Sequence, residues 1–278
     1  MTQKLVTLRI KGGLGNQLFQ YNLGEYLNQE LGYNIKYDIK TGYLNDAFNR
    51  SVCFHSIFKN NNKLIYNGFY NNIYTLRILK LISIRFKTNF LNFFYLDEDY
   101  NINKKNLLCY LKNSQNNIIL EGYWQDLDLI YNKFIEKLNN SLTEVFFSFN
   151  TNDLIVHYRS DNFSNSLSFE YFYLSINNMI NRYSNINNIY IYSDSNKVTN
   201  LLNYLKDRIS INIHIDYNDY DPFLLLSTIS KSKYFIGSNG TFSLWAMLLG
   251  TNRVIFIPPS LSSITSSLNG NIYLTSNE

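Results

Sequence analysis

Cysteine is almost absent from this sequence. Cys53 and Cys109 are the only two thiols in 278 residues. Two cysteines cannot build a disulfide framework or a cysteine-based metal site, which excludes the small disulfide-stapled and zinc-ribbon classes of protein. Reduced thiols are the ordinary state of such residues in the cytoplasm, so we expect a cytoplasmic protein.

Long apolar runs and strong net charge are missing as well. There is no run of about 18 uncharged apolar residues for a transmembrane helix, and the first ten residues enter a strand pattern at once instead of forming a signal peptide. The net charge of +4 is smaller than a nucleic-acid-binding protein usually carries. We therefore expect a soluble, enzyme-sized protein without a nucleic-acid partner. Its oligomeric state is not indicated.

Glycine, by contrast, is concentrated near the start of the chain, where residues 6–31 read VTLRIKGGLGNQLFQYNLGEYLNQEL. The apolar residues before the glycines predict a strand, and those after them recur at helical spacing until Gly32 ends the helix. Asn16 is the expected cap of this helix. The glycines predict a tight turn whose backbone N–H groups favour an anion. Leu18 replaces the third glycine of a dinucleotide fingerprint, so the stretch predicts a β–loop–α unit.

The second half of the chain alternates regularly between short apolar runs and helical patterns. Such alternation predicts right-handed crossovers and a parallel sheet. The composition turns polar at Asn150, and we place a domain boundary there, giving domains 1–149 and 150–278. The strands expected in the second domain are 154–158, 189–192, 211–215, 234–237 and 253–257.

Three polar clusters follow strands of this predicted sheet, at 157–162, 193–195 and 238–241. Ligands of parallel sheets bind beyond the carboxyl ends of the strands. Arg159 in the first cluster is a permanent cation whose fork geometry suits a phosphate. The third cluster precedes a helix and offers hydroxyls and helix-terminal amides, although ordinary N-capping is the alternative interpretation. Together the clusters favour a site for a nucleotide phosphate.

Several stretches, taken in order, resemble the α-1,2-fucosyltransferases, glycosyltransferase family eleven. GGLGNQLFQYNLGEYL is similar to the N-terminal signature of that family, and LEGYWQ to its Gly-Tyr-Phe-Gln element. VHYRSDNF is similar to its His-x-Arg-Arg-x-Asp motif, and SNGTFSLWAMLLG to its Asn-Ser-Ser-Phe-Ser-Trp-Trp-Ala segment. The resemblance runs from Gly12 to about Gly250.

The resemblance implies an α/β fold of GT-B type, with two Rossmann-like domains and a cleft between them. The first domain would serve the acceptor and the second the donor. The implied reaction is the transfer of L-fucose, with inversion, from GDP-fucose to the 2-hydroxyl of a galactoside in a glycan precursor. The resemblance also implies that the reaction requires no metal or other cofactor.

Matching positions and the chemistry above give the candidate donor-binding residues. Arg159 would contact the donor pyrophosphate and His157 the nucleotide side of the pocket. Gly13 and Gly15 would shape the loop over the cleft, and Asp221 would accept both hydrogen-bond donors of guanine. The full set is Gly13, Gly15, Asn16, His157, Arg159, Asp221, Ser238, Asn239, Gly240 and Thr241.

The stretch VHYRSDNF departs from the His-x-Arg-Arg-x-Asp motif of the family. Read without a gap, Ser160 replaces the second arginine and Asn162 the aspartate; read one residue shorter, Asp161 is the acid of the motif. The loss of one phosphate cation should weaken donor binding or the stabilisation of the leaving group, unless Arg9 or Lys11 replaces it. The candidate catalytic residues are Arg159, for the leaving group, and Asp161, Asp194 and Glu170, for the proton of the acceptor.

The acceptor is less well indicated. Aromatic side chains after the predicted strand 118–122 are able to stack on a sugar ring, although aromatic residues are frequent throughout this sequence. The candidate acceptor-binding residues are Gln17, Tyr123, Trp124 and Gln125.

Three other classes of function remain open. A metal-dependent GT-A transferase would use Asp97 and Asp99 to hold a cation against the donor, and EDTA would abolish its activity. An NAD-type oxidoreductase would use the glycine turn and Asp38, at the ribose-binding distance along the chain. A non-catalytic protein would bind the sugar nucleotide or glycan without turnover, which the loss of arginine at position 160 favours.

The segment 76–96 is apolar but contains four cations. We interpret it as a packed helix with its cations in water, while a basic amphipathic helix on an anionic membrane is the alternative. The family resemblance and the lack of an anchor favour a bacterial-type cytosolic enzyme, with the inner face of the inner membrane as the alternative place of action. Its acceptor would then be a galactose-terminated, lipid-linked or surface-polysaccharide precursor.

Overall fold

The structure is a computed structural model of the chain. It describes residues 4–44, 46, 50–53, 64–65, 73–86, 93–98, 104–114, 117–142, 150–159, 167–217, 220–261 and 270–275. The chain divides into two compact units, Met1–Glu136 and Lys137–Glu278.

The first unit contains a five-stranded parallel sheet. The strands are ordered β3-β2-β1-β5-β4, so β1 lies between β2 and β5. The regions Thr41–Tyr43 and Leu127–Leu129 form 3-10 turns. The elements are β1 (Leu5–Arg9), α1 (Leu14–Gln29), β2 (Asn34–Asp38), β3 (Leu64–Ile65), α2 (Ile73–Phe86), β4 (Phe93–Asp97), α3 (Lys104–Asn113), β5 (Asn117–Glu121) and α4 (Asn132–Ser141).

The second unit contains a six-stranded parallel sheet in the order β11-β10-β9-β6-β7-β8. Numbered within the unit, this is the 3-2-1-4-5-6 order of the Rossmann fold. Its elements are β6 (Asp153–Tyr158), α5 (Phe169–Arg182), β7 (Asn188–Ser193), α6 (Val198–Lys206), β8 (Asn212–Asp216), α7 (Pro222–Ser230), β9 (Tyr234–Ile236), α8 (Thr241–Leu248), β10 (Val254–Phe256) and β11 (Ile272–Leu274).

The apolar patterning explains why these strands form a covered parallel sheet. All six residues of β6 are buried, as expected for a strand with helices on both faces of its sheet. Helix α5 contributes Phe172, Ile176 and Met179 to one core cluster with β6 and β7. Burying apolar surface contributes roughly 25 cal/mol per Å², so this cluster is a main source of the stability of the unit.

The predicted elements of the second domain are present within one or two residues, and β11 was not predicted. The fold class, α/β with two parallel sheets of Rossmann-like type, is confirmed. The boundary predicted at 149 and 150 stays a prediction; the division into compact units falls inside α4. A 3-10 turn, Leu127–Leu129, comes before α4.

The glycine turn after β1 differs in detail from the expectation. Helix α1 begins at Leu14 with Gly13 as its N-cap and without a side-chain cap, so Asn16 lies in the first turn and does not cap the helix. Gly12 is the residue that the turn requires, because its φ is +82° and a Cβ there would lie 2.9 Å from the ring of Tyr123. A Cβ on Gly13 would meet open space.

None of the helices in the described ranges is both long and apolar enough to span a bilayer.

Arg253 is a buried cation that joins the ends of two helices. Its guanidinium donates to the carbonyl oxygens of Ile229, in the last turn of α7, and of Ser232, just beyond that helix (3.0 and 2.7 Å). It also donates to those of Ala246 and Leu249, at the end of α8 (2.7 and 2.6 Å). The last carbonyls of a helix lack intrahelical donors and carry the negative end of its dipole. Burial lowers the pKa of Arg253 to about 10, so the side chain stays charged at neutral pH. We conclude that it holds α8 in place from its C-terminal end.

Replacing Arg253 by methionine should destabilise the protein by about 3 kcal/mol or more, because four carbonyl groups each lose a hydrogen bond from the buried guanidinium. Arg253→Lys should restore part of this loss, since an ammonium has three donors. Urea unfolding followed by circular dichroism measures both values. A loss below about 1 kcal/mol for Arg253→Met would contradict the structural role.

Candidate functional site

The candidate site lies at the carboxyl ends of three adjacent strands of the second unit. β6 pairs with β9 on one side and with β7 on the other, all parallel. The chain leaves β6 toward α5 and leaves β9 toward α8, so the connections diverge between these two strands. This is the topological switch point at which open α/β sheets bind ligands. The clusters at 157–159, 193–195 and 238–241 therefore meet at one edge, as predicted.

Helix α8 begins at this edge without a side-chain cap. Its N-cap residue is Gly240, and the first helical hydrogen bond runs from the amide of Leu244 to the carbonyl of Gly240 (3.0 Å). The structure therefore does not show ordinary N-capping by a side chain, which was the alternative interpretation of this cluster. The first amides of a helix have no intrahelical acceptor and lie at the positive end of the dipole. They favour an anion at this position.

Arg159 lies directly against Gly240. A Cβ built on Gly240 would lie 2.6 Å from Nη1 of Arg159, so the guanidinium occupies the space that a side chain would need. The φ of Gly240 is +150°, a conformation that other residues rarely adopt. Glycine is required at this position for two reasons. The backbone conformation is one that other residues rarely adopt, and a side chain would clash with Arg159. A permanent cation and a helix N-terminus therefore lie side by side.

His157 braces the loop before α8. Its Nδ1 lies 2.6 Å from Oγ of Ser243 and 3.3 Å from Oγ of Ser238. Oγ of Ser243 also accepts a hydrogen bond from the amide of Ser238 (3.1 Å). The side chain of His157 is 9% exposed and its ring packs on Phe242. His157 therefore ties β6 to the first turn of α8, and the contact expected with the nucleotide stays a prediction.

The histidine in this network is neutral. Burial lowers the pKa of His157 to about 4; the charge of Asp194 opposes this effect and that of Arg159 adds to it. Nδ1 either donates to Ser243 or accepts from it, and in both arrangements Ser238 and Ser243 stay linked. A neutral imidazole leaves Arg159 as the cation of the motif within the described residues.

The other acidic candidates of this unit have different surroundings. Asp194 is exposed at the end of β7, near enough to His157 to raise its pKa. Glu170 lies in the first turn of α5 and accepts a hydrogen bond from Tyr204 of α6, which supports a structural role. Asp221 caps α7 through Oδ1, which accepts from the amides of Phe223 and Leu224 (2.8 and 3.0 Å). Its contact with guanine stays a prediction.

In the stretch VHYRSDNF, the motif positions Ser160, Asp161 and Asn162 lie outside the described residues. The hydroxyl of Ser260 donates to Oδ1 of Asn239 (2.5 Å), which fixes the amide at the rim of the third cluster. Thr241 is the first residue of α8 and half-buried.

In the first unit, Glu98 holds the loop that follows β5. Its Oε2 accepts hydrogen bonds from the amides of Tyr123 and Trp124 (2.7 and 2.9 Å). A Cβ on Gly122 would lie 2.5 Å from Cβ of Glu98, and Trp124 has a φ of +52°, which is rare for a bulky residue. The backbone here is held in an unusual conformation, as loops at binding sites often are.

The acceptor candidates of this unit differ in exposure. Trp124 is 2% exposed and offers no open face for a sugar, whereas Tyr123 is half-buried beneath Nζ of Lys11 (5.0 Å to the ring centre). Gln125 is exposed and donates to Oδ1 of Asn16 (2.9 Å). The acceptor contacts predicted for Tyr123 and Gln125 fit these surroundings and stay predictions.

Gln17 has a structural environment. It is fully buried, and its amide nitrogen donates to the carbonyl oxygens of Gly12 and Ser51 (both 3.0 Å). Its amide oxygen accepts from the amide of Cys53 (3.0 Å). Gly15, also buried, lies in the first turn of α1. These residues shape the glycine turn, and a direct contact of Gln17 with an acceptor stays a prediction that the geometry does not favour.

A half-buried charge cluster lies at the same sheet edge. Burial would raise the pKa of Glu121, but three cations outweigh it and lower the pKa. Arg9 is one of them, bound to Glu121 (2.6 Å) and to the carbonyl of Thr41 (2.7 Å). Arg9 is therefore occupied within its own unit. The other cations near Glu121 are Lys11 (3.4 Å) and Lys80 (3.6 Å).

Two of the three residues that the rival functions require make other contacts. Asp97 is 1% exposed and pairs with Nζ of Lys80 (2.5 Å), while Asp99 lies outside the described residues. The described residues contain no group of three or more side chains suited to a metal. Asp38 is buried and its Oδ1 accepts from the amides of Lys40 and Thr41 (3.1 and 2.9 Å), so it stabilises a turn where a ribose would have to bind.

Two residues that stabilise the loops described above were not predicted from the sequence. Ser243 was not singled out, although its place three residues after Gly240 puts it in the first turn of α8. Glu98, which lies between the candidate metal ligands Asp97 and Asp99, has a role that the sequence analysis did not predict. Its partners are backbone amides 25 and 26 residues away, for which the local sequence holds no signal.

No protein-family model matches the chain, and no curated protein matches it in sequence. Solved structures do. The Escherichia coli heptosyltransferase WaaC with ADP-2-deoxy-2-fluoro heptose matches with a TM-score of 0.50 and 9% identity, covering 98% of this chain and 96% of that one. A variant of Arabidopsis thaliana FUT1 in complex with GDP matches with a TM-score of 0.51 and 11% identity, covering 88% and 68%. At these identities the likeness shows a shared fold, of GT-B type as predicted.

Because His157 is protonated readily only when unfolded, the protein should lose stability as the pH falls. The folded pKa of about 4 lies below the ordinary value of 6.5, so this contribution is full above pH 6.5 and declines as the pH falls toward 4. At about 1.4 kcal/mol per pH unit it amounts to roughly 3 kcal/mol. His157→Asn, which keeps a polar atom near Nδ1, should flatten this part of the profile.

Urea unfolding between pH 7 and 4.5 measures the effect, with His214→Asn as the matched control because His214 is exposed. Equal pH profiles for the natural protein and His157→Asn would contradict a buried neutral histidine.

Proposed function

We propose that the protein is a glycosyltransferase that uses a nucleotide-sugar donor. The observation that carries the proposal is the close packing of Arg159 on Gly240, at the uncapped N-terminus of α8 and at the switch point of a Rossmann-type sheet. A fork-shaped cation and the amides of a helix N-terminus together match the charge and the oxygen geometry of a diphosphate.

The finer proposal is that the donor is GDP-fucose and that the product is a galactoside fucosylated at its 2-hydroxyl. The motif resemblance described above supports it. The two solved structures of the same fold were determined with GDP and with ADP-2-deoxy-2-fluoro heptose. We therefore propose GDP-fucose binding in the second unit and a galactose-terminated acceptor, lipid-linked, served by the first.

The chemistry follows from where charge develops. As the bond between fucose C1 and the β-phosphate oxygen breaks, negative charge grows on the departing GDP. Arg159 and the first amides of α8 would stabilise that charge most strongly in the transition state, which lowers the barrier. The acceptor hydroxyl attacks C1 from the opposite face, so the configuration inverts.

The proton of the attacking hydroxyl needs an acceptor. Asp194 is exposed at the sheet edge that also bears Arg159, which makes it our candidate base among the described residues. Asp161 is the other candidate. Glu170 is less suited because Tyr204 already donates to its carboxylate.

We also propose that the reaction needs no metal. In this view Arg159 and the helix dipole neutralise the diphosphate, a role that a divalent cation fills in metal-dependent transferases. The pairing of Asp97 with Lys80 supports this choice over the metal-dependent alternative. The inner face of the inner membrane is the proposed place of action.

GDP should stabilise the protein against heat. Ligand at one hundred times its dissociation constant adds about 2.7 kcal/mol, which raises the melting temperature by several degrees. A thermal-shift assay with GDP, ADP, UDP and NAD measures this. A shift with ADP alone would overturn the fucose donor but keep the glycosyltransferase, whereas a shift with NAD alone would overturn both.

Arg159→Ala should lower kcat/KM for GDP-fucose by about 100- to 10,000-fold, because a hydrogen-bonded charge that strengthens in the transition state is lost. Arg159→Lys should recover only part, since an ammonium cannot make the bidentate contact. The exposed Arg182 on α5 offers the matched control, Arg182→Ala, with turnover near normal. Near-normal turnover of a folded Arg159→Ala variant would contradict the assignment. Binding of GDP with no turnover on any galactoside would instead favour a non-catalytic protein.

A further inference from the structure

Within the described part of the chain, helix α2 of the first unit packs through one face. Leu79 and Ser83 are buried on that face, and the hydroxyl of Ser83 accepts a hydrogen bond from the amide of Tyr95 in β4 (2.9 Å). Lys80 lies on the flank, where its ammonium pairs with Asp97. These contacts account for the inward side and one edge of the helix.

The opposite face exposes large apolar side chains. Tyr74 is 67% exposed, Ile78 50% and Leu81 59%. At about 100° per residue, these positions lie within roughly 60° of one another around the helix axis. The other large apolar residues exposed in the described part of the chain lie singly on separate elements, at Leu44, Leu174, Tyr217 and Ile272. The concentration on α2 is thus a property of this helix and not of the surface in general.

The same face carries positive charge. Arg77 and Arg85 are exposed, and the helical period places both within or beside the arc of the three apolar residues. The helix sequence, IYTLRILKLISIRF, contains neither aspartate nor glutamate. We call Tyr74, Arg77, Ile78, Leu81 and Arg85 the α2 face.

We propose that the α2 face binds an anionic lipid bilayer, with the helix lying in the plane of the membrane surface. This combination fits the interface between headgroups and acyl chains: leucine and isoleucine enter the apolar region, tyrosine lies at its boundary, and arginines reach the lipid phosphates. The positive charge of the α2 face favours an anionic membrane over other binding partners. Two cations set among apolar side chains, without a carboxylate on the helix, complement a surface of uniformly negative charge. This inference does not depend on the donor or on the reaction proposed above.

Flotation with lipid vesicles tests the proposal. The full-length protein should float with vesicles of phosphatidylcholine and phosphatidylglycerol and much less with phosphatidylcholine alone, and salt should weaken the binding. The double variant Arg77→Gln/Arg85→Gln should lower the partition coefficient by roughly tenfold or more, since each cation near an anionic surface contributes about fivefold. Ile78→Ser/Leu81→Ser should lower it at least as much, even without added salt.

Matched controls separate the α2 face from general charge and apolarity. Leu174→Ser removes an exposed leucine from the second unit, and Lys40→Gln/Lys206→Gln removes two exposed cations elsewhere. Both should bind vesicles as the natural protein does. Melting temperatures of all variants should stay close to that of the natural protein, because the altered side chains are exposed.

The proposal is overturned if the natural protein does not float with anionic vesicles, or if the α2 variants float as well as the controls. It is also overturned if light scattering shows a dimer that the Ile78→Ser/Leu81→Ser variant dissociates in the absence of lipid. The α2 face would then be an interface between two copies of the chain.

Discussion

The parallel pairing of β6 with both β9 and β7 is the constraint on which the candidate site depends. Parallel strands must end at the same edge of a sheet, so polar residues that follow three separate strands come together although they lie as much as 80 residues apart. The divergence of the chain between β6 and β9 leaves this edge open for a ligand. The position of Arg159 beside α8 follows from this topology.

Contacts of individual side chains then fix the geometry of the site at this sheet edge. Gly240 leaves room for the guanidinium of Arg159, and the network of His157, Ser238 and Ser243 ties the loop to β6. From the other end, Arg253 fixes the C-terminus of α8. A helix held at both ends presents its first amides in one place, which is how a diphosphate would be bound without reorganisation. The buried, neutral His157 serves this positioning better than it would serve as a cation.

Much of this was predictable from sequence, for physical reasons. Regular alternation of short apolar runs with helical patterns indicated the second sheet, and polar residues after strands indicated its ligand edge. Local patterns do not report contacts between distant residues, however. The capping of the 122–125 loop by Glu98 and the engagement of Gln17 with Gly12 and Ser51 were therefore invisible. Asn16 is not the cap because the positive φ of Gly12 lets the helix begin three residues earlier, with Gly13 at the N-cap.

The central claim is that Arg159 and the start of α8 hold a diphosphate together, and calorimetric titration of Gly240→Ala with GDP tests it most directly. The added methyl group strains the backbone and displaces the guanidinium, so the dissociation constant should rise by about 10- to 100-fold. Gly270→Ala also alters a glycine of positive φ, but in more open surroundings, and should leave the constant unchanged. GDP binding of natural strength by a folded Gly240→Ala variant would contradict the account.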